Sequence, residues 1–325
     1  MSSVFTATLP INGRMDVAAM MQSLSNHALP CGEICDPGSA QHTRMLPVGT
    51  SMAHVSVRLS PREVEFQAEL AQPAPKQGPD PGQGPGPKQG LNPIEVEQAV
   101  RWWLDVDTDV TSIERYLSED PLLAALIEQR PGIRIMRYVN GFEAAIVTVL
   151  GQQVSLAACR TFGGRLLAAY GTPFTSPTGM TLMAFPKPDT LAAIPEDELR
   201  ATLGITGSRA RTVTAVARAF ASGLQLARPE PNTSPNTSPG TSPGPTKAAQ
   251  QEVREQLLAI PGVGPWTADC LALRVMGDPD AFTPGDLVLR RALGKITVPA
   301  ATKRAEAWSP WRAYALAQLW ASALT

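Results

Sequence analysis

Apolar residues recur at steps of three and four along almost the whole chain after residue 92. This spacing places the apolar side chains of each segment on one face of an α-helix, which has 3.6 residues per turn. Pro195 and Pro310 stand at the starts of two such segments, where the missing proline N–H is tolerated. The pattern predicts an all-α body. The predicted helices span 93–104, 109–117, 120–129, 142–150, 156–170, 189–194, 197–203, 208–221, 248–258, 266–276, 287–293, 300–308 and 311–324.

The first 70 residues carry a different pattern, which mixes strands with one helix. Alternation of apolar and polar residues is clearest in HVSVRL, at 54–59, and alternation is typical of a half-buried strand. Residues 49–51 contain a glycine between two such runs and predict a hairpin turn. The N-terminal part is therefore predicted as a small α+β unit with an antiparallel sheet. Its predicted strands span 4–9, 43–48, 53–59 and 64–70, and its predicted helix spans 16–29.

Two segments contain no large apolar side chains that could be buried in a core. Residues 72–90 consist of Pro, Gly, Gln, Lys, Ala and Asp, and residues 228–246 repeat Asn-Thr-Ser-Pro units. Such segments are typical of flexible linkers and surface insertions. The predicted domains are an α+β domain at 1–71, a linker at 72–90 and a helical body at 91–325 that carries the insertion at 228–246.

The charge balance limits how the chain could bind a polyanion. Twenty-eight Lys and Arg against 29 Asp and Glu give a net charge of −1. Charge alone therefore favours an ordinary metabolic enzyme, and binding to DNA would have to depend on local amides and a few basic side chains. No apolar run approaches the ~18 residues that a bilayer span needs, so we expect a soluble, cytoplasmic protein with no membrane partner.

The four cysteines, at 31, 35, 159 and 270, fit neither a disulfide framework nor an iron–sulfur loop, so we expect no iron–sulfur cluster. His27, Cys31, Cys35 and His42 are ligand types that bind zinc. Their spacing matches no common structural zinc motif. The sequence leaves open whether these four residues bind a metal or are an incidental cluster.

Residues 260–268, IPGVGPWTA, place a Gly-Val-Gly turn between two apolar helical segments. Free backbone N–H groups at such a helix start favour an anion, so the turn is a candidate phosphate site. The alternative is a plain tight turn between helices. Asp286 follows 22 residues after Gly264 (286 − 264), about one helix and a loop later, so its carboxylate is predicted to lie near the turn. Asp286 also fits an N-cap of the helix that starts at Leu287.

The stretch from residue 257 to 320 resembles the helix-hairpin-helix DNA glycosylase superfamily, whose members carry such a hairpin followed by an aspartate. More narrowly, the chain resembles the AlkA-type bacterial 3-methyladenine DNA glycosylase II family. Residues 142–155, 203–210 and 308–315 carry this narrower resemblance. It covers most of 91–325 and, more faintly, 4–70. It implies a mainly α fold, with two helical subdomains flanking a cleft and a small sheet-bearing N-terminal domain.

The resemblance implies that Asp286 is the catalytic aspartate. Breaking an N-glycosidic bond builds positive charge on the sugar, and a nearby carboxylate stabilises that charge or aligns water. Trp266 stands where bifunctional members of the superfamily carry a nucleophilic lysine. Because an indole forms no Schiff base, we expect no AP-lyase activity.

The resemblance also predicts a base pocket formed by Trp266, Trp320 and Tyr314. Bases alkylated at purine N3 or N7 are cationic and are attracted to the faces of aromatic rings. Trp308 and Trp311 are predicted to lie in the core instead. Cys270 departs from the pattern, since some relatives carry an aromatic residue there, which puts the substrate range in doubt.

DNA contacts are expected from the hairpin and from a second loop. The hairpin would bind the backbone through Gly262, Val263, Gly264 and the neighbouring Thr267. Gln153 stands at the family's wedge position and would fill the space left by a flipped base, with support from Gln152; a helix-capping pair is the alternative. Arg209 is a candidate phosphate contact.

No cofactor is expected to take part in catalysis. In the family, hairpin carbonyls hold a structural monovalent cation against a phosphate, and the resemblance assigns these carbonyls to Leu258, Ile260 and Val263.

Together these features predict a monomeric, monofunctional DNA glycosylase that removes alkylated purines from double-stranded DNA. Two alternatives remain open. One is a glycosylase for deaminated or mismatched bases, and the other is a non-catalytic helix-hairpin-helix DNA-binding protein.

Overall fold

The N-terminal part of the chain folds as a five-stranded antiparallel sheet with one helix. The computed structural model describes residues 4–73, 90–226 and 247–323. The order of the strands is β1-β5-β4-β3-β2, and Gly49, at φ +57°, makes the turn between β3 and β4. Asp16 caps the helix by accepting the N–H of Ala19 at 2.9 Å. The elements are β1 (Val4–Pro10), α1 (Val17–His27), β2 (Glu33–Asp36), β3 (Gln41–Val48), β4 (Ser51–Leu59) and β5 (Glu63–Leu70).

The rest of the described chain is mainly helical, as predicted. Several helices begin at an Asp, Asn, Ser or Thr whose side chain accepts a backbone N–H of the first turn, as Asn140 does for Phe142. The elements are β6 (Gln72–Pro73), α2 (Pro93–Trp103), α3 (Val110–Leu117), α4 (Pro121–Gln129), α5 (Gly141–Leu150), α6 (Leu156–Tyr170), β7 (Thr172–Thr175), β8 (Thr181–Ala184), α7 (Pro188–Ala192), α8 (Glu196–Leu203), α9 (Gly207–Ala221), α10 (Lys247–Leu258), α11 (Pro265–Arg274), α12 (Leu287–Ala292), α13 (Val298–Ala305) and α14 (Arg312–Ala323).

A second, three-stranded sheet was not predicted. Its order is β6-β7-β8, and Gln72 and Pro73 pair with Thr175 and Phe174. The predicted linker at 72–90 is therefore wrong at its first two residues, because these residues pair with a strand of the helical body. Residues 74–89, and the predicted insertion at 228–246, lie outside the described residues.

The core divides into two clusters of buried side chains. The first joins the five-stranded sheet and α1 to α2, α5, α6, α8, α9 and to Ala268 and Leu271 of α11. The second is formed by α3, α4, α12 and α14 with the end of α11. The N-terminal sheet therefore shares its core with the helical body, and α11 lies where the two clusters meet. No helix among the described residues is long and apolar enough to cross a membrane.

Candidate active site

The hairpin between α10 and α11 is a tight turn closed by backbone bonds. The N–H of Val263 donates to the carbonyl of Ile260 at 3.0 Å, and Gly262 has φ +88°. A Cβ at Gly262 would lie 1.9 Å from Oγ1 of Thr212 on α9, so glycine is required there for both conformation and space. Gly264 is the N-cap of α11 and supplies no side-chain cap. The start of α11 thus has no side-chain cap, and a phosphate site there stays a prediction.

Gln152 ties the α5–α6 connection to this hairpin. Its Nε2 donates to the carbonyl of Gly262 at 3.1 Å and to Oγ1 of Thr267 at 3.0 Å. Its own carbonyl accepts an N–H of Arg209. These contacts fix the hairpin against the first core cluster. They place Gln152, Thr267 and Arg209 together, with one N–H of the Arg209 guanidinium used inside the protein.

The neighbouring Gln153 is exposed and has φ +54°. A non-glycine residue in this left-handed region is uncommon and costs conformational energy. The backbone strain is thus found at the residue that the sequence predicted as a wedge, beside the hairpin that its neighbour holds.

Asp286 lies at the start of α12, and its carboxylate accepts three N–H groups. Oδ1 accepts the backbone N–H of Leu289 at 2.8 Å, so Asp286 is the N-cap of α12. Oδ1 also accepts the indole N–H of Trp320 at 3.1 Å, and Oδ2 accepts the indole N–H of Trp266 at 3.2 Å. The structure therefore brings together three of the predicted site residues. Asp286 is therefore both the N-cap of α12 and a carboxylate that contacts the two predicted pocket tryptophans.

Two further residues lie beside these tryptophans. The guanidinium carbon of Arg274 lies 5.5 Å from the centroid of the Trp320 ring. Cys270 is buried, and this burial raises the pKa of its thiol to about 12. Sequence reasoning missed Arg274. The available signal was its spacing, since it follows Trp266 and Cys270 at steps of four on α11.

The prediction of Tyr314 as a pocket residue is corrected by its surroundings. Its side chain is buried in the second core cluster, and its hydroxyl donates to Oδ2 of Asp105 at 3.0 Å. Arg137 donates to the same hydroxyl at 3.1 Å. A phenol held by a buried carboxylate and a guanidinium is part of the core. The periodicity of α14 gave no sign of this network, because its partners lie more than 170 residues away in the chain.

The predicted core tryptophans behave as expected. Trp308 is buried, and its indole N–H donates to Oδ2 of Asp120 at 2.8 Å. Trp311 is half-buried and packs on the second cluster.

The cysteine–histidine cluster near the N-terminus does not gather into one place. His42 bonds through Nε2 to Oε2 of Glu33 at 2.8 Å, and Cys35 lies opposite His42 on the neighbouring strand. His27 bonds through Nδ1 to the carbonyl of Ser23 at 2.7 Å. Among the residues that the structure describes, no three His, Cys, Asp or Glu side chains are placed to hold a metal ion.

The fold and the site together define a helix-hairpin-helix protein with a carboxylate at the start of the next helix. The model of the AlkA N-terminal domain matches residues 6–140, and that of the HhH-GPD superfamily base excision DNA repair proteins matches residues 146–310. The chain belongs to this HhH-GPD superfamily. The predicted family and the predicted mainly α fold are confirmed, and the N-terminal match extends past the predicted domain boundary at residue 71.

Two relatives and one solved structure illustrate the similarity. The chain is 39% identical over 221 residues to a probable bifunctional transcriptional activator/DNA repair enzyme AlkA of Mycobacterium tuberculosis (strain CDC 1551 / Oshkosh), covering 67% of this chain. It spans only 40% of that relative's length. It is 32% identical over 199 residues to DNA-3-methyladenine glycosylase 2 of Escherichia coli (strain K12), covering 61% of this chain and 63% of the relative. A 3-methyladenine DNA glycosylase from Archaeoglobus fulgidus shares the fold, with a TM-score of 0.71 over 98% of each chain at 16% identity.

Proposed function

We propose that this chain is a DNA glycosylase of base excision repair that hydrolyses the N-glycosidic bond of alkylated purines, such as 3-methyladenine, flipped out of duplex DNA. The observation that carries this proposal is the Asp286 carboxylate held by the two indoles of Trp266 and Trp320. The similarity to the E. coli and M. tuberculosis relatives, named a 3-methyladenine glycosylase and a DNA repair enzyme, supports it.

The chemistry follows from the carboxylate. As the bond between base and sugar breaks, positive charge develops on the deoxyribose, and a fixed carboxylate stabilises that charge without having to reorganise. An alkylated base is already a good leaving group, so no general acid is required. Three N–H donors hold Asp286 in one orientation, which is the preorganisation that this form of catalysis needs.

Binding of the DNA is assigned to the hairpin and the loop at Gln153. The uncapped amides at the start of α11 suit a phosphate oxygen. The exposed Gln153 suits the space that a flipped base leaves in the duplex. A monovalent cation on the carbonyls of Leu258, Ile260 and Val263 is part of the same proposal. The carbonyl of Ile260 already accepts the N–H of Val263 and would offer its second lone pair.

The enzyme is proposed to be monofunctional and monomeric. The indole of Trp266 cannot form a Schiff base with the sugar, so the product is an intact strand with an abasic site. Incubating the protein with alkylated duplex tests this point: strand breaks before any alkaline treatment would contradict it.

The central experiment measures base release from alkylated duplex DNA by Asp286→Asn. Asparagine can still cap α12 through its amide oxygen, while the negative charge and one of the two acceptor oxygens are removed. We expect release to slow by about a hundredfold or more, the order found when a group that stabilises transition-state charge is deleted. Asp16→Asn, which changes the equivalent N-cap of α1, is the matched control and should release base at the wild-type rate. An Asp286→Asn protein as fast as wild type would refute the proposed mechanism.

A lesion panel separates the remaining alternatives. Duplexes carrying 3-methyladenine, hypoxanthine or uracil distinguish an alkylation enzyme from one for deaminated bases. Binding to an abasic-site analogue without release of any modified base would identify a non-catalytic DNA-binding protein.

A further inference from the structure

Arg274 is placed beside the proposed base pocket by the geometry of α11. Residues four apart lie on one side of a helix, so Trp266, Cys270 and Arg274 form one row along α11. The carbonyl of Arg274 accepts the N–H of Tyr138 at 2.8 Å, which anchors the end of the helix. The Arg274 guanidinium lies over the Trp320 ring, and the Trp320 indole N–H donates to Asp286. Arg274 is thus one aromatic ring away from the carboxylate.

The charge of Arg274 is not neutralised by a partner in the described part of the chain. No carboxylate there lies within 4.0 Å of its guanidinium, although several other arginines have such partners. Its side-chain hydrogen bond is a long one, from Nη1 to the carbonyl of Met136 at 3.4 Å. The neighbouring Cys270 supplies no negative charge, because burial raises its pKa to about 12.

A helix that carries a histidine, α1, also lies close to this charge. The pKa of His27, on α1, is lowered to about 3, first by burial and then by the positive charge of Arg274. His27 is therefore neutral near pH 7 and adds no second positive charge beside Arg274. The region beside Trp320 therefore holds the positive charge of Arg274 and, bonded to the indole N–H, the carboxylate of Asp286.

We propose that Arg274 is a specificity-determining residue, whose positive charge on the Trp320 face lowers the preference of the pocket for cationic bases relative to neutral ones. This inference rests on the proposed function. The guanidinium occupies one face of the indole, so a flipped base that stacks on Trp320 uses the other face. The base would then lie about 9 Å from the guanidinium, 5.5 Å plus a stacking distance of about 3.5 Å.

The size of the effect follows from that distance. Two like charges about 9 Å apart at an effective dielectric constant of about 20 disfavour the cationic base by roughly ten- to twentyfold. A neutral base of the same size and shape is not subject to this repulsion. Arg274 would therefore bring cationic alkylated bases and neutral lesions such as hypoxanthine closer together in rate.

The test compares two variants and two lesions in full-length protein. Release is measured for 7-methylguanine, a cation, and for hypoxanthine, a neutral base, from duplexes of one sequence at sub-saturating protein concentrations, where the rate reports kcat/KM and includes binding. Arg274→Met removes the charge and keeps the apolar stem, and Arg274→Lys keeps the charge. We expect Arg274→Met to raise the 7-methylguanine to hypoxanthine ratio by about tenfold. Arg274→Lys should leave this ratio within about twofold of wild type, since it retains the charge.

The ratio distinguishes specificity from a structural role, because partial misfolding slows both lesions alike. Equal slowing of both lesions in Arg274→Met, or a fall in the ratio, would overturn the assignment of Arg274 alone. A wild-type protein that released neither lesion would overturn the proposed function and the role of Arg274 with it.

Discussion

Substitution of the hairpin glycines tests whether the turn needs its glycine for conformation, for space, or for both. Gly262 has φ +88°, and a Cβ there would lie 1.9 Å from Oγ1 of Thr212. Gly294, after α12, has φ +80° but nothing within 4 Å of an added Cβ. Gly264 has φ −106° and nothing within 4 Å. The three glycines therefore separate the two requirements within one protein.

The magnitudes follow from these geometries. A non-glycine residue in the left-handed region costs about 1–2 kcal/mol, which is the whole effect expected for Gly294→Ala. Gly262→Ala adds the strain of forcing a methyl group into packed space, typically about 1–3 kcal/mol, for a total of roughly 2–5 kcal/mol. Gly264→Ala meets neither obstacle and should cost about 1 kcal/mol or less, the preference for glycine over alanine at an N-cap.

A double mutant isolates the steric part. Thr212→Ala removes the hydroxyl and methyl groups that the new Cβ would meet, and on its own loses one bond, from Oγ1 to the carbonyl of Ser208 at 3.1 Å. In Thr212→Ala, the cost of Gly262→Ala should fall towards that of Gly294→Ala, which gives a coupling energy of about 1–3 kcal/mol.

Urea unfolding of the wild type and the five variants measures these differences, and binding to duplex DNA carrying an abasic-site analogue reports the state of the hairpin itself. We expect Gly262→Ala to weaken DNA binding, because the hairpin amides move when Thr212 is displaced. The reasoning is refuted if Gly262→Ala and Gly294→Ala cost the same, or if Thr212→Ala leaves the cost of Gly262→Ala unchanged.

Three further predictions concern Trp320, Trp308 and His27. Trp320→Phe removes the N–H donor to Asp286 and keeps a ring, so base release should slow by about tenfold with little change in stability. Trp308→Phe removes a buried donor to Asp120 and should lower the free energy of unfolding by about 1–2 kcal/mol without slowing base release. If Trp308→Phe slowed release and Trp320→Phe lowered stability instead, both assignments would be contradicted. His27 has a folded pKa near 3 against an ordinary value of 6.5, so between these values the unfolded chain binds a proton that the folded chain does not, and stability falls as pH falls. His27→Gln has no such proton to bind on unfolding. Relative to wild type, its free energy of unfolding should therefore increase as the pH is lowered from 7.5 to 4.5, and a difference that stays constant over this range would contradict the prediction.

Local sequence signals account for most of the helical fold. Helices such as α5, α6 and α9 carry both an apolar face and a side-chain N-cap, and each was predicted to within one residue of its start. The strands β2, β7 and β8 were missed. Each has four residues, too few for alternation to be recognised. β2 and β8 pair with the neighbouring strands β3 and β7, and β7 also pairs with the distant β6.

In the candidate site, too, local features could be predicted from the sequence and long-range contacts could not. Asp286 and Trp266 could be predicted because the hairpin and its spacing to the aspartate are local features. The contact of Trp320 with Asp286 joins residues 34 apart, and it depends on how α14 packs on α12. Tyr314, on the same helix, carries an equally suitable side chain, but a buried carboxylate from a distant segment holds it in the core. Which aromatic residue of α14 faces the carboxylate was therefore settled by packing and not by residue type.

The first turn of α11 connects the proposed phosphate-binding hairpin to the proposed catalytic carboxylate of Asp286. The uncapped start of α11 is Gly264 and Pro265, and the next residue is Trp266, whose indole holds Oδ2 of Asp286. The other oxygen is held from α12 and α14. A phosphate bound at the start of α11 would therefore fix the position of the helix end that orients the carboxylate. Since α11 packs against both core clusters, a shift of either cluster that moved the hairpin would also turn Asp286 away from the sugar.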